Sequence, residues 1–226
     1  VPDYTIDGIT LSLPENRLTP TLIRALETGR YENSEAAALR VHLLPADRYL
    51  DLGAGAGYLL AQAARIVTKG RLAGIEASRE MVDAARANVA RNGVTAELRW
   101  GAVVPDDHAG DEAAFHERPA FWASALAQAG SQNPGREHAV PALRFRTLLK
   151  EFRPTALSID IEGGEAALFD RPLPRHVRLV VMELHPGLYG GTGVKRIFDG
   201  LSASGFAYAA RGSRGATVVF NRVTEA

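Results

Sequence analysis

Cysteine is absent from this 226-residue chain, which removes disulfides, zinc-thiolate and iron-sulfur sites and any thiol nucleophile at once. Net charge is absent too. With 26 Lys and Arg against 26 Asp and Glu, no broad basic balance exists to hold a long nucleic-acid backbone or an anionic membrane surface. No apolar run reaches the roughly 18 residues of a spanning helix, and the N-terminal stretch lacks the basic-then-apolar layout of a secretion signal. The chain opens on Val1 rather than Met, which leaves room for residues ahead of it. These absences predict a soluble, cytoplasmic protein, with its oligomeric state left open.

What is present is a repeated strand-helix rhythm, organised around one stretch. Tyr49-Leu50-Asp51-Leu52 is an apolar run that ends in Gly53-Ala54-Gly55-Ala56-Gly57, and Tyr58 begins an amphipathic helix pattern. Alternating glycines at a strand-to-helix turn let backbone approach a ligand closely, so this turn is read as a cofactor edge. A dinucleotide fingerprint needs a small third residue where Tyr58 stands, and Asp51 would repel a pyrophosphate. A sulfonium with an ammonium tolerates that acid, so the turn favours S-adenosylmethionine over NAD. Glu76 ends the next strand, roughly 20 residues past the turn, where a carboxylate accepts hydrogen bonds from ribose hydroxyls.

The expected cofactor contacts are thus Asp51, Gly53, Ala54, Gly55, Gly57 and Tyr58 at the turn, and Glu76 with Ala77 at the second strand end. Gly101 and Ala102, ending a third strand over residues 96–103, fall where an adenine edge lies. Glu32, ahead of the first strand, could face the cofactor's ammonium, with Glu35 beside it.

Further along, Ala156-Leu157-Ser158-Ile159-Asp160-Ile161-Glu162 reads as a strand with Asp160 and Glu162 at alternate positions, hence on one side. The strand Val177 to Pro186 carries Glu183 and His185 in the same alternation. In a doubly wound sheet all of these ends lie beside the glycine turn, so Asp160, Glu162, Glu183 and His185 can surround one pocket. Transfer of a methyl from such a cofactor needs alignment and removal of the acceptor's proton, and His185 or Glu162 is the expected base, with Asp160 holding the cofactor's amino end or the acceptor. Asp160, Glu162 and Glu183 binding Mg²⁺ is the less favoured variant.

The remaining segments frame this core. Residues 1–30 are expected to form a β-hairpin around Asp7-Gly8 and a short helix from Thr19-Pro20, outside a domain covering 31–226. Asn33 or Ser34 is expected to cap the next helix. Residues 105–140 break the alternation and are read as an inserted flap, whose His108, His116 and His138 match no metal spacing. Gly187 to Gly193 is read as a mobile loop before a helix at 194–204. Two closing strands then complete a seven-stranded, mostly parallel sheet with a C-terminal antiparallel hairpin, a Rossmann-like α/β domain.

Three features together make the chain resemble the FkbM-type class I S-adenosylmethionine-dependent methyltransferases: Asp51-Leu-Gly-Ala-Gly-Ala-Gly57, Ser158-Ile-Asp-Ile-Glu-Gly-Gly-Glu165, and Met182-Glu-Leu-His185. The second stands in the place of that family's Asp-x-Glu-Gly-x-Glu signature. The resemblance covers about residues 30–222 and implies a seven-stranded Rossmann-like enzyme, with O-methylation of sugars or polyketide-type small molecules frequent among relatives. It carries over Asp51, Gly53, Gly55 and Glu76 as cofactor contacts and Asp160 and Glu162 as active-site acids. The turn departs from the family, which often has Asn there. Two other classes stay open: a non-catalytic S-adenosylmethionine-binding or partner module, and an RNA methyltransferase, disfavoured by neutral charge and by the lack of an Asn-Pro-Pro-aromatic motif.

Overall fold

The computed structural model describes residues 2–117, 125–126 and 136–224. Strands β1 (Asp3–Ile6) and β2 (Ile9–Ser12) pair across Asp7-Gly8, both left-handed, and Thr19 caps helix α1 (Pro20–Glu27) by accepting from the Leu22 amide.

A seven-stranded sheet forms the centre. Helix α2 (Asn33–His42) precedes β3 (Arg48–Leu52); α3 (Tyr58–Ala64), β4 (Arg71–Glu76), α4 (Arg79–Arg91) and β5 (Glu97–Trp100) follow. The expected cap of α2 is not found. The helix begins at Asn33 itself, behind a left-handed Glu32 that makes no capping bond with its side chain. Ser78 does cap α4, accepting from the Met81 amide at 3.4 Å.

The third strand breaks where continuity was expected. Gly101 adopts a φ of 152° and separates β5 from β6 (Ala102–Val104). A Cβ there would meet Leu143 and the Pro141 carbonyl oxygen at 2.7 Å, so the close approach requires glycine. The chain thereby leaves the main sheet for a smaller one. In it β6 runs parallel to β9 (Arg136–Arg144), β7 (Glu112–Glu117) antiparallel to β9, and β8 (Ala125–Leu126) antiparallel to β7. The expected flap is this second sheet in its described parts; residues 118–124 and 127–135 of that span lie outside the described residues. Arg17 ties the N-terminal residues to α4 through Glu80 at 2.6 Å and to this sheet through Glu117 at 2.5 Å.

Helix α5 (Phe145–Phe152) returns the chain to the core, burying Phe145, Leu148, Leu149 and Phe152 on one face at about 2 kcal/mol each. Strands β10 (Ala156–Ile159) and β11 (Leu179–Glu183) then flank β3 in parallel. Gly187 to Gly193 is helical rather than a loop. Helix α6 runs from Pro186 to Ala203 and is broken only at Gly190 (φ 64°, ψ −176°), because proline suits a first helical turn. The antiparallel strands β12 (Phe206–Tyr208) and β13 (Thr217–Arg222) close the sheet in the order β12-β13-β11-β10-β3-β4-β5. One core lies on the α2–α4 side and another on the α5–α6 side. The expected Rossmann-like sheet with its C-terminal hairpin is thus present.

Candidate active site

The carboxyl ends of the parallel strands open onto a cleft of about 690 Å³, within the roughly 300–1,000 Å³ common for small-molecule sites. Its wall on one side is the glycine turn. Gly53, at φ 91°, passes so close to the next strand end that a Cβ would sit 1.7 Å from the Asp160 carbonyl oxygen. Only glycine permits this crossing. The turn also hydrogen-bonds to β4 through the Gly53 and Ala54 amides, both donating to the Ile75 carbonyl.

Of the residues expected at the cofactor, Glu32, Gly53, Gly55, Glu76, Ala77, Gly101 and Ala102 line the cleft. Glu76 is held in place by two backbone amides, Gly55 N at 2.9 Å and Ser78 N at 2.8 Å, one on each oxygen. Each oxygen retains acceptor capacity, so ribose hydroxyls fit there. Ala54, Gly57 and Tyr58 do not line it. Ala54 packs toward Gly74, Gly57 against Ala85, and the Tyr58 hydroxyl meets Gln62 and Asp7.

Asp51 does not line it either; it lies below the turn, 1 % exposed, where it accepts from the Ser158 hydroxyl. Burial, with the charge of Glu76 adding to it, pushes its carboxyl up to about 7. Above it, burial and then the Asp51 and Glu35 charges push Glu32 well above the carboxylate range, against the hydrogen bond from Tyr31. Glu35, also buried, accepts from the Thr217 hydroxyl of β13. A group bearing a sulfonium and an ammonium would relieve this crowding of acids, whereas a pyrophosphate would worsen it. The residues present therefore fit S-adenosylmethionine.

The end of β10 and the start of α6 gather the expected catalytic residues. Strand β10 ends at Ile159, so the alternation expected for Asp160 and Glu162 is replaced by a turn in which Glu162 is left-handed at φ 54°. Both still face the cleft. His185, at the start of α6, has Nε2 3.3 Å from Glu162 and 3.5 Å from Asp160, and Nδ1 3.2 Å from Glu165. Burial alone would lower this imidazole; the Glu165 and Glu162 carboxylates outweigh it and hold its pKa above the usual value. Burial, reinforced by Glu162 and Glu183, holds Asp160 well above the carboxylate range.

Two features went unread in the sequence. Glu165 was quoted only as the end of a motif, yet it is fully buried and touches His185; its spacing of three from Glu162 across two glycines is the signal, since such a turn folds back on itself. The ligand atoms of Asp160, Glu183 and His185 lie within 4.8 Å of one another, a grouping that could accept a cation and that replaces Glu162 of the expected set by His185.

Residues 43–102, from before β3 into β6, match the family described as "Methyltransferase domain". Among solved structures, the methyltransferase FkbM from Methylobacillus flagellatus is similar at a TM-score of 0.54 and 14 % identity, over 93 % of this chain and 56 % of that one. Precorrin-6y C5,15-methyltransferase from Geobacter metallireducens gives 0.49 and 12 %, over 93 % and 91 %. An O-methyltransferase from Bacillus cereus, solved with SAH, gives 0.48 and 15 %, over 94 % and 84 %. No curated protein matches the sequence. The matched segment carries the glycine turn and Glu76, and the sheet around it has the Rossmann-like order.

Proposed function

We propose that the chain methylates a hydroxyl of a small molecule or sugar, with S-adenosylmethionine as donor, and that it is an FkbM-type enzyme. One observation carries this reading: His185 lines the same cleft as the glycine turn, with a carboxylate beside each ring nitrogen. Bound cofactor supplies a methyl group made electrophilic by its sulfonium. Glu76 would hold the ribose, Glu32 and Asp160 the amino end, and the backbone of Gly101 and Ala102 the adenine edge. Alignment supplies much of the rate, and the base adds about 10²–10⁴-fold.

The base is His185, with Glu162 next to its Nε2 to pass the proton onward. No helix among the described residues is long and apolar enough to cross a membrane, and the lack of cysteine suits a reducing compartment, so a cytoplasmic setting is part of the proposal. Transfer of isotopically labelled methyl from S-adenosylmethionine to a panel of hydroxylated metabolites, read by mass spectrometry, tests it. Labelling of hydroxyl oxygens that is lost in His185→Ala, with cofactor affinity intact, supports the proposal. Labelling of RNA alone, or of nothing while cofactor binds, would move the reading to the RNA enzyme or to the non-catalytic module.

A second reading rests on the 4.8 Å grouping of Asp160, Glu183 and His185. A divalent cation there would acidify the acceptor hydroxyl directly. Activity that survives excess chelator excludes it.

A further inference from the structure

We propose that the amino edge of the seven-stranded sheet, the end away from the cleft, docks the protein on an anionic lipid surface through a row of arginines and two exposed apolar side chains. The proposal stands apart from the methyl-transfer reading and does not depend on it. Five neighbouring strands bring an arginine to this edge. Arg222 ends β13, Arg175 leads into β11, Arg153 leads into β10, and Arg48 and Arg71 open β3 and β4. At about 4.8 Å between strands, the row is about 20 Å long. Lys69 joins it, its amide donating to the Pro45 carbonyl just ahead of β3.

These guanidiniums are held by backbone and left uncompensated. Arg48 Nε donates to the Arg153 carbonyl at 2.5 Å, Arg71 to the Phe152 carbonyl at 2.7 Å, and Arg222 to the Val177 and Pro174 carbonyls at 2.6 and 2.9 Å. Arg153 and Arg175 are exposed. Among the described residues none of the five lies within ion-pair reach of a carboxylate, since the nearby Asp47 and Glu151 are taken by Arg178 and Arg99. His176 registers the resulting potential: burial, and then Arg153, Arg48 and Arg222, push its imidazole below the usual value. Carbonyl dipoles do not cancel full charges, so the edge stays positive in a chain whose formal total is zero. The carboxyl edge holds the opposite sign in Glu32, Glu35, Glu76, Asp160, Glu162 and Glu183.

Two apolar side chains share this edge. Leu44, 51 % exposed, lies between α2 and Arg48, and Val223, 60 % exposed, follows Arg222. Cations beside exposed apolar groups suit the boundary between lipid headgroups and acyl chains, where the charges meet phosphates and carboxylates and the apolar groups enter. A nucleic-acid backbone offers nothing to Leu44 or Val223. Among the described residues the one strongly exposed aromatic, Tyr208, is stacked on Phe198 rather than free to take a base. Docked by its amino edge, the protein turns its cleft to water, where an acceptor can reach it.

Co-sedimentation of the full chain with vesicles is the test. The parent should bind vesicles of phosphatidylcholine with about 30 % phosphatidylserine and not those of phosphatidylcholine alone, and binding should fall steeply between about 0.05 and 0.5 M NaCl. Each arginine near the surface is worth about fivefold in partitioning, so Arg153→Gln combined with Arg175→Gln should weaken binding about 25-fold. Both side chains are exposed, so S-adenosylmethionine affinity of that variant should match the parent's. Leu44→Ser combined with Val223→Ser should weaken vesicle binding several-fold. Equal binding to both vesicle types, binding to neither, or full binding by either double variant would overturn the proposal. So would tighter binding to a labelled single-stranded RNA or to polyglutamate at equal charge, which would make the edge a nucleic-acid or protein interface. Cofactor affinity that drops on vesicles would put the cleft, not this edge, against the lipid. Failure of the methyl-transfer assay would leave the vesicle result standing.

Discussion

Asp51→Asn should make the ligand-free protein more stable at neutral and alkaline pH, and the effect should vanish in acid. Asp51 is 1 % exposed, and its carboxyl is raised from about the ordinary 3.8 to about 7, chiefly by burial and secondarily by Glu76. The sign follows from linkage: the unfolded chain releases this proton near its ordinary pKa, while the folded chain keeps it until about 7, so folding loses stability as pH rises through that interval. At 1.36 kcal/mol per unit, the loss between about pH 5 and about pH 8 amounts to about 3 kcal/mol. An asparagine has no proton to lose, and its oxygen can still accept from the Ser158 hydroxyl as Asp51 does. Any pH-independent cost of seating the amide cancels when the two pH values are compared. Urea denaturation of parent and variant at both pH values is the assay. The gain of the variant over the parent should grow by about 3 kcal/mol from the acid to the alkaline condition, or about 9 °C in melting temperature for a domain of this size. A difference that stays constant across that range would refute the assignment of Asp51 as a carboxyl that resists ionising.

Other consequences are as direct. Gly53→Ala drives a Cβ toward the Asp160 carbonyl at 1.7 Å in a left-handed backbone, so it should cost about 3 kcal/mol or more in thermal unfolding and abolish cofactor binding in titration. Arg17→Ala takes the guanidinium from Glu117, which keeps the Ser78 hydroxyl, and should destabilise the protein by about 2 kcal/mol in urea unfolding. Methyl transfer through His185 should continue in excess chelator; loss of activity restored by Mg²⁺ or Mn²⁺ would transfer the role to the Asp160, Glu183 and His185 grouping.

How much of this the sequence disclosed depended on whether the deciding contact was local. The glycine turn, Glu76 and the convergence of Asp160, Glu162 and His185 were readable because strand ends in a parallel sheet share one edge, and β10 and β11 lie beside β3 as that rule requires. The pairing of Glu35 with Thr217 was not readable, since it joins residues 182 apart. The departure of the chain at Gly101 depends on Pro141 and Leu143 filling the space a side chain would need. Asp51 looked like a cofactor contact from its place beside the glycines; alternation along β3 instead sends it to Ser158 below the turn. The burial of Glu165 beside His185 was hidden because a short 3₁₀ turn, unlike a helix or strand, announces no face in its periodicity.

Calorimetric titration of the purified chain with S-adenosylmethionine and separately with NAD, each repeated on Glu76→Ala, tests the central claim most directly. The account predicts that S-adenosylmethionine alone binds and that the substitution weakens it strongly, because Glu76, held by the Gly55 and Ser78 amides, is the residue proposed to hold the ribose. Binding of NAD, or of neither compound by the folded protein, would contradict it.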